Sequence, residues 1–477
     1  MSGPLWTLAA LRAATGGRVL GHPRAQISGI SIDSRSVGAG EAFFAIKGER
    51  FDGHQFVADA LKRGAALAVV AEAKLGAMPA GAALIAVPDV LEALRGLARA
   101  ARARSHARIA AVTGSVGKTG TKEALRDALA REGETHASVA SLNNQWGVPL
   151  SLARMPANVR YAVFELGMNH AGEIEPLAKL VRPHVAIVTA VEAVHLEYFR
   201  SVEEIADAKA EIFLGVEPGG AAVLPRDNPH FERLAAAARK AGVARVVGFG
   251  AHANAEARVL EAALKAQCST VRARILGDDI TYKIGTPGRH LVENSLAVLA
   301  AVRLMGADLA VAALSLATWQ PPTGRGRRLM LDLGTGEALL IDESYNANPA
   351  SMCAALEVLG QAPIGPRGRR IAVLGDMLEL GASAAGLHRD LAKAAESAGI
   401  DLVYCAGPLM RVLWDALPAA RRGGYAESAA LLEPEIVAAL RPGDAVMVKG
   451  SHGSRMAPIV AALTKRFRAA QSAATPA

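Results

Sequence analysis

The sequence predicts an α/β protein of three domains. A small N-terminal α/β unit comes first, then a central parallel-sheet unit built on a mononucleotide-binding P-loop, then a C-terminal Rossmann-like unit. Three observations predict this. Apolar runs of strand length alternate with helical stretches along most of the 477 residues, the pattern of parallel sheets covered on both faces. Hydrophobic residues make up 51% but aromatics only 4%, and alanine is abundant, which favours closely packed α/β layers over aromatic-rich sandwiches. One segment, Thr113-Gly114-Ser115-Val116-Gly117-Lys118-Thr119, joins a strand-like run to a helix-like one in the manner of a phosphate cradle.

Residues 1–88 contain strand-like runs at Ile30–Ile32, Ala42–Ile46, Ala66–Val70 and Ala83–Val87, with a helix near Gln55–Arg63. Val90–Arg104 reads as a connecting helix into a second unit, 89–322. There the buried-strand candidates are Ile109–Val112, Tyr161–Leu166, Val185–Ala190, Ala221–Leu224 and Val243–Phe249. The stretch from about Ala251 to Ile284 reads as short strands at an antiparallel edge, and Asn294–Met305 as a helix. Pro321-Pro322-Thr323-Gly324 punctuates a boundary. The third unit, 323–468, repeats the alternation with strands at Ala338–Ile341, Ile371–Leu374, Leu402–Cys405 and Ala445–Val448. The end, 469–477, is small and polar and is expected to be a flexible tail.

The 113–119 turn carries the first chemical inference. Backbone N–H groups and a helix N-terminus face an anion, Lys118 meets the terminal phosphates, and the Thr119 hydroxyl can hold Mg²⁺. The general P-loop pattern puts a glycine where this chain has Val112; Gly114 lies inside the loop instead. The strand-turn-helix context decides for nucleotide binding, so ATP with Mg²⁺ is expected.

Composition excludes several classes. No apolar run approaches the ~18 residues that span a bilayer. The N-terminus lacks a basic region and meets Arg12 early, so no signal peptide is expected. Cys268, Cys353 and Cys405 are widely spaced, which argues against a disulfide framework or zinc site and suits a reducing cytoplasm. The net charge is +8, yet the basic residues are dispersed and no aromatic-interleaved basic stripe appears. Nucleic acid is therefore not expected as a partner; attraction of acidic small substrates accounts for the charge.

Further polar residues gather at strand ends. Glu165 closes an apolar strand, where a parallel sheet places its ligand site and where a carboxylate can serve Mg²⁺; its bland alternative is a helix-capping acid. His195 follows the neighbouring strand run and is a candidate ligand, though a lone histidine is more often structural. Lys209, in Ala208-Lys209-Ala210-Glu211-Ile212, reads by spacing alone as a solvated helix lysine. Asn143-Asn144 begin a polar turn suited to substrate amides or hydroxyls, or to an ordinary loop. Asp342-Glu343-Ser344-Tyr345-Asn346-Ala347-Asn348-Pro349 and Lys449-Gly450-Ser451 end two strands of the third unit, and both could face the P-loop.

Together these residues resemble the Mur ligase family of peptidoglycan synthesis, over essentially the whole chain. The loop resembles that family's Thr-Gly-Ser-x-Gly-Lys-Thr form. Similar segments are Asp33-Ser34-Arg35 with Lys47-Gly48, Asp52-Gly53-His54-Gln55-Phe56, Asn143-Asn144 with Gly147-Val148-Pro149, and Glu165-Leu166-Gly167. His195-Leu196-Glu197, Tyr345-Asn346-Ala347-Asn348-Pro349 and Gly375-Asp376-Met377-Leu378-Glu379-Leu380-Gly381 follow in order. The last two resemble the branch that joins D-alanyl-D-alanine to UDP-N-acetylmuramoyl-tripeptide. The chain departs where the family has Asp-Asp before Ser-Tyr-Asn, having Asp342-Glu343, and where Pro225 stands in place of a family asparagine.

The resemblance implies an ATP-dependent ligase that forms an acyl phosphate, with a UDP-substrate domain first, an ATP-binding domain second and a third that completes the ATP site and receives the dipeptide. Lys118 would meet the β and γ phosphates, and Thr119 and Glu165 would share one Mg²⁺. His195 and a carbamylated Lys209 would serve a second. Asn294, one of Arg325 and Arg327, and Asp342, Glu343, Tyr345 and Asn346 would lie near the nucleotide. Ser31, Asp33, Ser34, Arg35, Lys47, Gly48, Asn143, Asn144, Asn348, Lys449 and Ser451 would contact substrates. A cytoplasmic monomer is expected. The rivals are a tripeptide-adding ligase or folylpolyglutamate synthase and, in another class, a regulatory or nucleic-acid-dependent P-loop NTPase.

Overall fold

The computed structural model describes residues 3–194 and 196–469. Among them the chain forms a two-stranded ribbon (Trp6–Thr7 with Gln26–Ile27) and sheets of five, nine and seven strands, in that order along the sequence.

The five-stranded sheet runs Arg18–Leu20, Leu84–Val87, Leu67–Ala71, Glu41–Phe44, Gly29–Ser31; all neighbours are parallel except the first pair. Leu67–Val70 is fully buried, as a continuous apolar run in a parallel sheet should be. The helix Val90–Ala103 leads out of it. Asp89 caps that helix by accepting from the Glu92 N–H at 2.7 Å, and Leu94, Leu97, Ala98 and Ala101 form its buried stripe. Truncating Leu94, which has no exposed surface, should cost about 2–5 kcal/mol, so this stripe is what anchors the first unit to the second.

The nine-stranded sheet is parallel through seven strands and ends in the antiparallel meander Ala257–Leu264, Ser269–Ile275, Asp278–Ile284. Arg108–Thr113 lies at its topological centre, flanked on one side by Tyr161–Glu165 and on the other by Val185–Val188. Chain connections diverge to opposite sides there, which opens a crevice beyond the carboxyl ends of the strands. The register aligns Val112 with Glu165 and Thr113 with Val188, so the phosphate loop and Glu165 emerge at one level. One apolar cluster covers each face of this sheet.

The seven-stranded sheet is Arg422–Ala426, Leu402–Ala406, Arg370–Gly375, Ala445–Lys449, Glu337–Glu343, Arg327–Asp332, Arg468–Ala469. Ala445–Lys449 is its switch strand, parallel to both neighbours, with Lys449 level with Glu343 and Leu374. Three strands of this sheet, Arg327–Asp332, Arg422–Ala426 and Arg468–Ala469, were not expected from sequence. Arg327–Asp332 opens on two arginines, and Arg422–Ala426 contains a Gly-Gly pair; neither reads as an apolar run. Arg468 and Ala469 pair with Asp332 and Leu331, and the rest of the expected tail, 470–477, lies outside the described residues.

Specific polar bonds join the units. The Trp6 indole N–H donates to the Ala153 carbonyl at 2.8 Å, and the Arg104 guanidinium stacks 3.5 Å over the Trp6 ring. Arg154 donates to the Ile30 carbonyl at 2.6 Å. Between the second and third units, Arg325 donates to Ser141 Oγ at 2.9 Å and the Glu197 N–H to the Glu379 carbonyl at 3.2 Å.

Candidate active site

The phosphate loop links Arg108–Thr113 to the helix Lys118–Ala130. Two glycines make it possible. Gly114 has φ 146°, and a Cβ there would lie 2.0 Å from Thr189 Oγ1. Gly117 caps the helix at φ 83°, with the Asn294 side-chain amide 2.8 Å from where a Cβ would be. Thr189 Oγ1 lies 2.5 Å from the Val116 carbonyl and so ties the loop to the neighbouring strand end. Asn294, on the helix Arg289–Leu304, is thus brought against the loop.

Three titratable groups, Glu165, Lys118 and Lys209, converge here. The Thr119 hydroxyl donates to Glu165 Oε2 at 2.7 Å, and Asn143 Nδ2 donates to Glu165 Oε1 at 2.8 Å; Thr119 and Glu165 are buried. Lys118 Nζ curls back to the Gly114 carbonyl at 2.6 Å. Desolvation pushes the Lys118 ammonium below its ordinary range; Glu165 opposes that fall and Arg325 adds to it. Lys209 is 2% exposed, on the helix Val202–Ala210, which overturns its reading as a solvated lysine. Burial, and then the charge of Lys118, hold its amine well below the ordinary lysine range. Both influences act against the charged form of the amine.

The second sheet meets the third along a cleft of about 480 Å³ lined by Thr119, Glu123, Ser141, Trp319, Arg325 and Tyr345 among others. Arg325 is half-buried, stacks 4.0 Å over the Tyr345 ring, and is close enough to depress Lys118. Arg327 also borders the cleft but is exposed and donates to Thr323 Oγ1 at 3.3 Å. Of the two candidate arginines, Arg325 is the one beside the loop. The Trp319 indole N–H and the Thr113 hydroxyl are buried without a hydrogen-bond partner among the described residues, so donors remain free at the loop and in the cleft.

Other expected site residues have local work. Asp342 uses one oxygen in its own turn, accepting from the Ser344 hydroxyl at 2.6 Å, and the other to hold the turn before Arg325, accepting from the Gly324 N–H at 2.8 Å. Asn348 caps the helix Pro349–Gly360 in a capping box with Ser351. Asn144 accepts from the Gly147 N–H at 2.9 Å. Ser451 donates to the Ala347 carbonyl and accepts from the Leu378 N–H. Lys449 Nζ is 3.3 Å from Glu343 and 3.0 Å from the Asn346 carbonyl, so Glu343 takes part in a part-buried ion pair. Ser31 closes a turn with the Asp33 backbone, Asp33 and Arg35 pair in solvent, and Gly48 packs near the Trp146 ring, its Cβ position 3.4 Å away. His195 lies outside the described residues. Sequence reasoning missed Ser141, Thr189 and Trp319, single residues in segments with no motif.

Family models for "Mur ligase family, catalytic domain", "Mur ligase middle domain" and "Mur ligase, glutamate ligase domain" match residues 26–102, 112–302 and 327–452. The UDP-N-acetylmuramoyl-tripeptide–D-alanyl-D-alanine ligase of Escherichia coli is 34% identical over 92% of this chain and 94% of its own length. The chain belongs to the Mur ligase family. Another Mur ligase of the same name, from Rickettsia prowazekii, is 32% identical over 90% of this chain and 94% of its own. Among solved Mur ligases, MurF from Acinetobacter baumannii superposes with a TM-score of 0.83 at 30% identity, over 98% of this chain and all of that one. MurF from Thermotoga maritima in complex with ADP gives 0.76 at 25% identity, over 92% and 97%. This Mur ligase has no helix among the described residues long and apolar enough to cross a membrane.

Proposed function

We infer that this chain is an ATP-dependent amide ligase. It joins D-alanyl-D-alanine to the terminal carboxylate of UDP-N-acetylmuramoyl-tripeptide in peptidoglycan precursor synthesis, working as a cytoplasmic monomer. One observation carries the reading: Lys118, the Thr119–Glu165 pair, Lys209 and Arg325 converge at the carboxyl edge of the nine-stranded sheet, beside the cleft that the third unit borders. The names of the full-length relatives supply the two substrates.

A carboxylate is a poor acyl donor because oxide would have to leave. Transfer of the ATP terminal phosphoryl group makes an acyl phosphate; the dipeptide amine then attacks the acyl carbon, the C–O bond breaks, and phosphate leaves. Two anions must first approach each other. Lys118, the loop N–H groups and Arg325 place positive charge where that repulsion is greatest. The donor set fits Mg²⁺, which takes oxygen ligands and binds through one or two carboxylates plus substrate phosphates. Held by Thr119 and Glu165, it would supply further positive charge to the transferring group. Lys209 in its neutral form can add CO₂ and lose a proton to become an anionic carbamate, a hard oxygen ligand; with His195 it would serve a second ion.

Asp33, Ser34, Arg35, Lys47 and Gly48 lie in the segments that follow the strands Gly29–Ser31 and Glu41–Phe44 of the first unit and are assigned to the UDP end. The domain bounds are taken as 1–88, 89–322 and 323–468. The test is phosphate release by the purified full chain given the tripeptide precursor, ATP and one of D-alanyl-D-alanine, glutamate or a diamino acid. Release with D-alanyl-D-alanine alone is the expected result. Preference for either other amine would move the chain to a different branch, and stimulation by nucleic acid would move it to a different class.

A further inference from the structure

Lys122 sits one turn beyond Lys118 on the phosphate-loop helix and has no exposed surface. Its ammonium donates to the Ser138 carbonyl at 2.6 Å and the Ala140 carbonyl at 2.9 Å, and pairs with Glu123 at 2.6 Å. A lysine is rarely buried this completely, and three oxygen partners satisfy all three of its donors. The sequence reading gave it no role, and it does not line the cleft.

What it grips is informative. Ala140 has φ 49°, a left-handed conformation that a non-glycine residue adopts only when surroundings enforce it. The segment it belongs to feeds the site at three points. Ser138 Oγ accepts from the Glu165 N–H at 3.3 Å, Ser141 Oγ accepts from Arg325 at 2.9 Å, and Asn143 Nδ2 donates to Glu165 Oε1 at 2.8 Å. One ammonium therefore clamps the strained turn from which both the carboxylate and the arginine of the nucleotide site are supported.

We propose that Lys122 is a positioning residue: by holding the 138–140 carbonyls it fixes Asn143 against Glu165, and so sets how tightly Mg²⁺ is bound with the nucleotide. This rests on the reading of Thr119 and Glu165 as Mg²⁺ ligands. It differs from a purely structural role because it makes a directional demand on metal affinity. Glu123 keeps Arg126 as a partner at 3.1 Å when the lysine is removed, so Lys122→Met does not strand a lone buried carboxylate.

The experiment is a fluorescence titration of the full chain with a methylanthraniloyl-labelled ADP, with and without Mg²⁺, which needs no turnover. Outer partners of metal ligands commonly contribute about 10–100-fold in affinity. Lys122→Met should accordingly raise the Mg²⁺ concentration at half-saturation by roughly 10-fold or more, with Mg²⁺-free nucleotide binding changed less than about twofold. Asn143→Ala should shift it in the same direction, and the double variant should add little to either single one. Should Lys122→Met fail to fold, Lys122→Arg, which keeps the charge but not the ammonium geometry, is read in the same way. An unchanged Mg²⁺ requirement in a folded variant, or full additivity with Asn143→Ala, overturns the proposal. Absence of Mg²⁺-dependent nucleotide binding in the unsubstituted chain overturns the underlying site reading as well.

Discussion

Thr119 and Glu165 are hydrogen-bonded at 2.7 Å although 46 residues separate them in sequence. Parallel register brings this about: Glu165 is level with Val112, one residue before the phosphate loop begins. Both oxygens of Glu165 are held, one by Thr119 and one by Asn143. Glu165→Gln keeps the shape and removes the charge, so turnover should fall about 10²–10³-fold, as loss of a well-placed electrostatic contact does, with little change in folding. Lys118→Ala should lose at least as much. Steady-state phosphate release, with circular dichroism as the folding control, checks both; near-normal turnover in a folded variant would refute the assignment.

The buried Lys209 amine makes a chemical prediction. Lys209→Ala should abolish most turnover, and millimolar acetate or formate should restore part of it by placing a carboxylate where the carbamate stood. A response confined to Lys209→Ala and absent from Lys118→Ala is expected. Loss of activity with no response to added carboxylate counts against carbamylation.

Arg325 and Arg327 differ in what they touch, so their variants should differ in KM for ATP. Arg325 bridges Ser141 and stacks on Tyr345, and a charge-assisted hydrogen bond contributes about 1.5–3 kcal/mol, or roughly 10-fold or more. Arg325→Ala should raise the ATP KM by that factor, whereas Arg327→Ala should stay within about twofold. Equal effects would mean that the exposed arginine also reaches the nucleotide.

His136 predicts a pH effect on stability. Its Nε2–H donates to the Ser151 carbonyl at 2.8 Å, and burial pushes its pKa from 6.5 down to about 4. The folded chain therefore keeps it neutral between those values while the unfolded chain protonates it. Stability from this site is complete above pH 6.5 and is lost as pH falls toward 4, at up to about 1.4 kcal/mol per pH unit. Urea unfolding of the chain and of His136→Gln at pH 7 and pH 5 should show the smaller acid loss in the variant. Identical losses would remove His136 as the cause.

The fold was legible wherever periodicity was strong. Buried runs such as Val185–Val188 and Ala445–Lys449, and the antiparallel edge of the second sheet, follow from apolar pattern alone. Arg327–Asp332 was illegible because it opens on two adjacent arginines, one exposed and one partly buried on the opposite face, and so shows no apolar run. In the site, Lys118, Thr119 and Glu165 announced themselves by motif and by position at a strand end. Lys209 was misread from spacing because helical periodicity says which face a residue lies on, not what packs there. Lys122 was silent for a related reason: its partners are backbone carbonyls, which have no sequence signature. Asn348 and Asp342 carry the opposite lesson, since a polar cluster at a strand end also supplies the caps and turns that hold it in place.

The acyl-phosphate route is tested most directly by labelling both oxygens of the tripeptide's terminal carboxylate with oxygen-18 and analysing the phosphate released with D-alanyl-D-alanine. The oxygen that bridges carbon and phosphorus comes from the carboxylate and leaves with phosphorus. Every phosphate formed together with amide should therefore carry one labelled oxygen. Amide product accompanied by unlabelled phosphate would contradict phosphoryl transfer to the carboxylate, and with it the roles given to Lys118, Thr119 and Glu165.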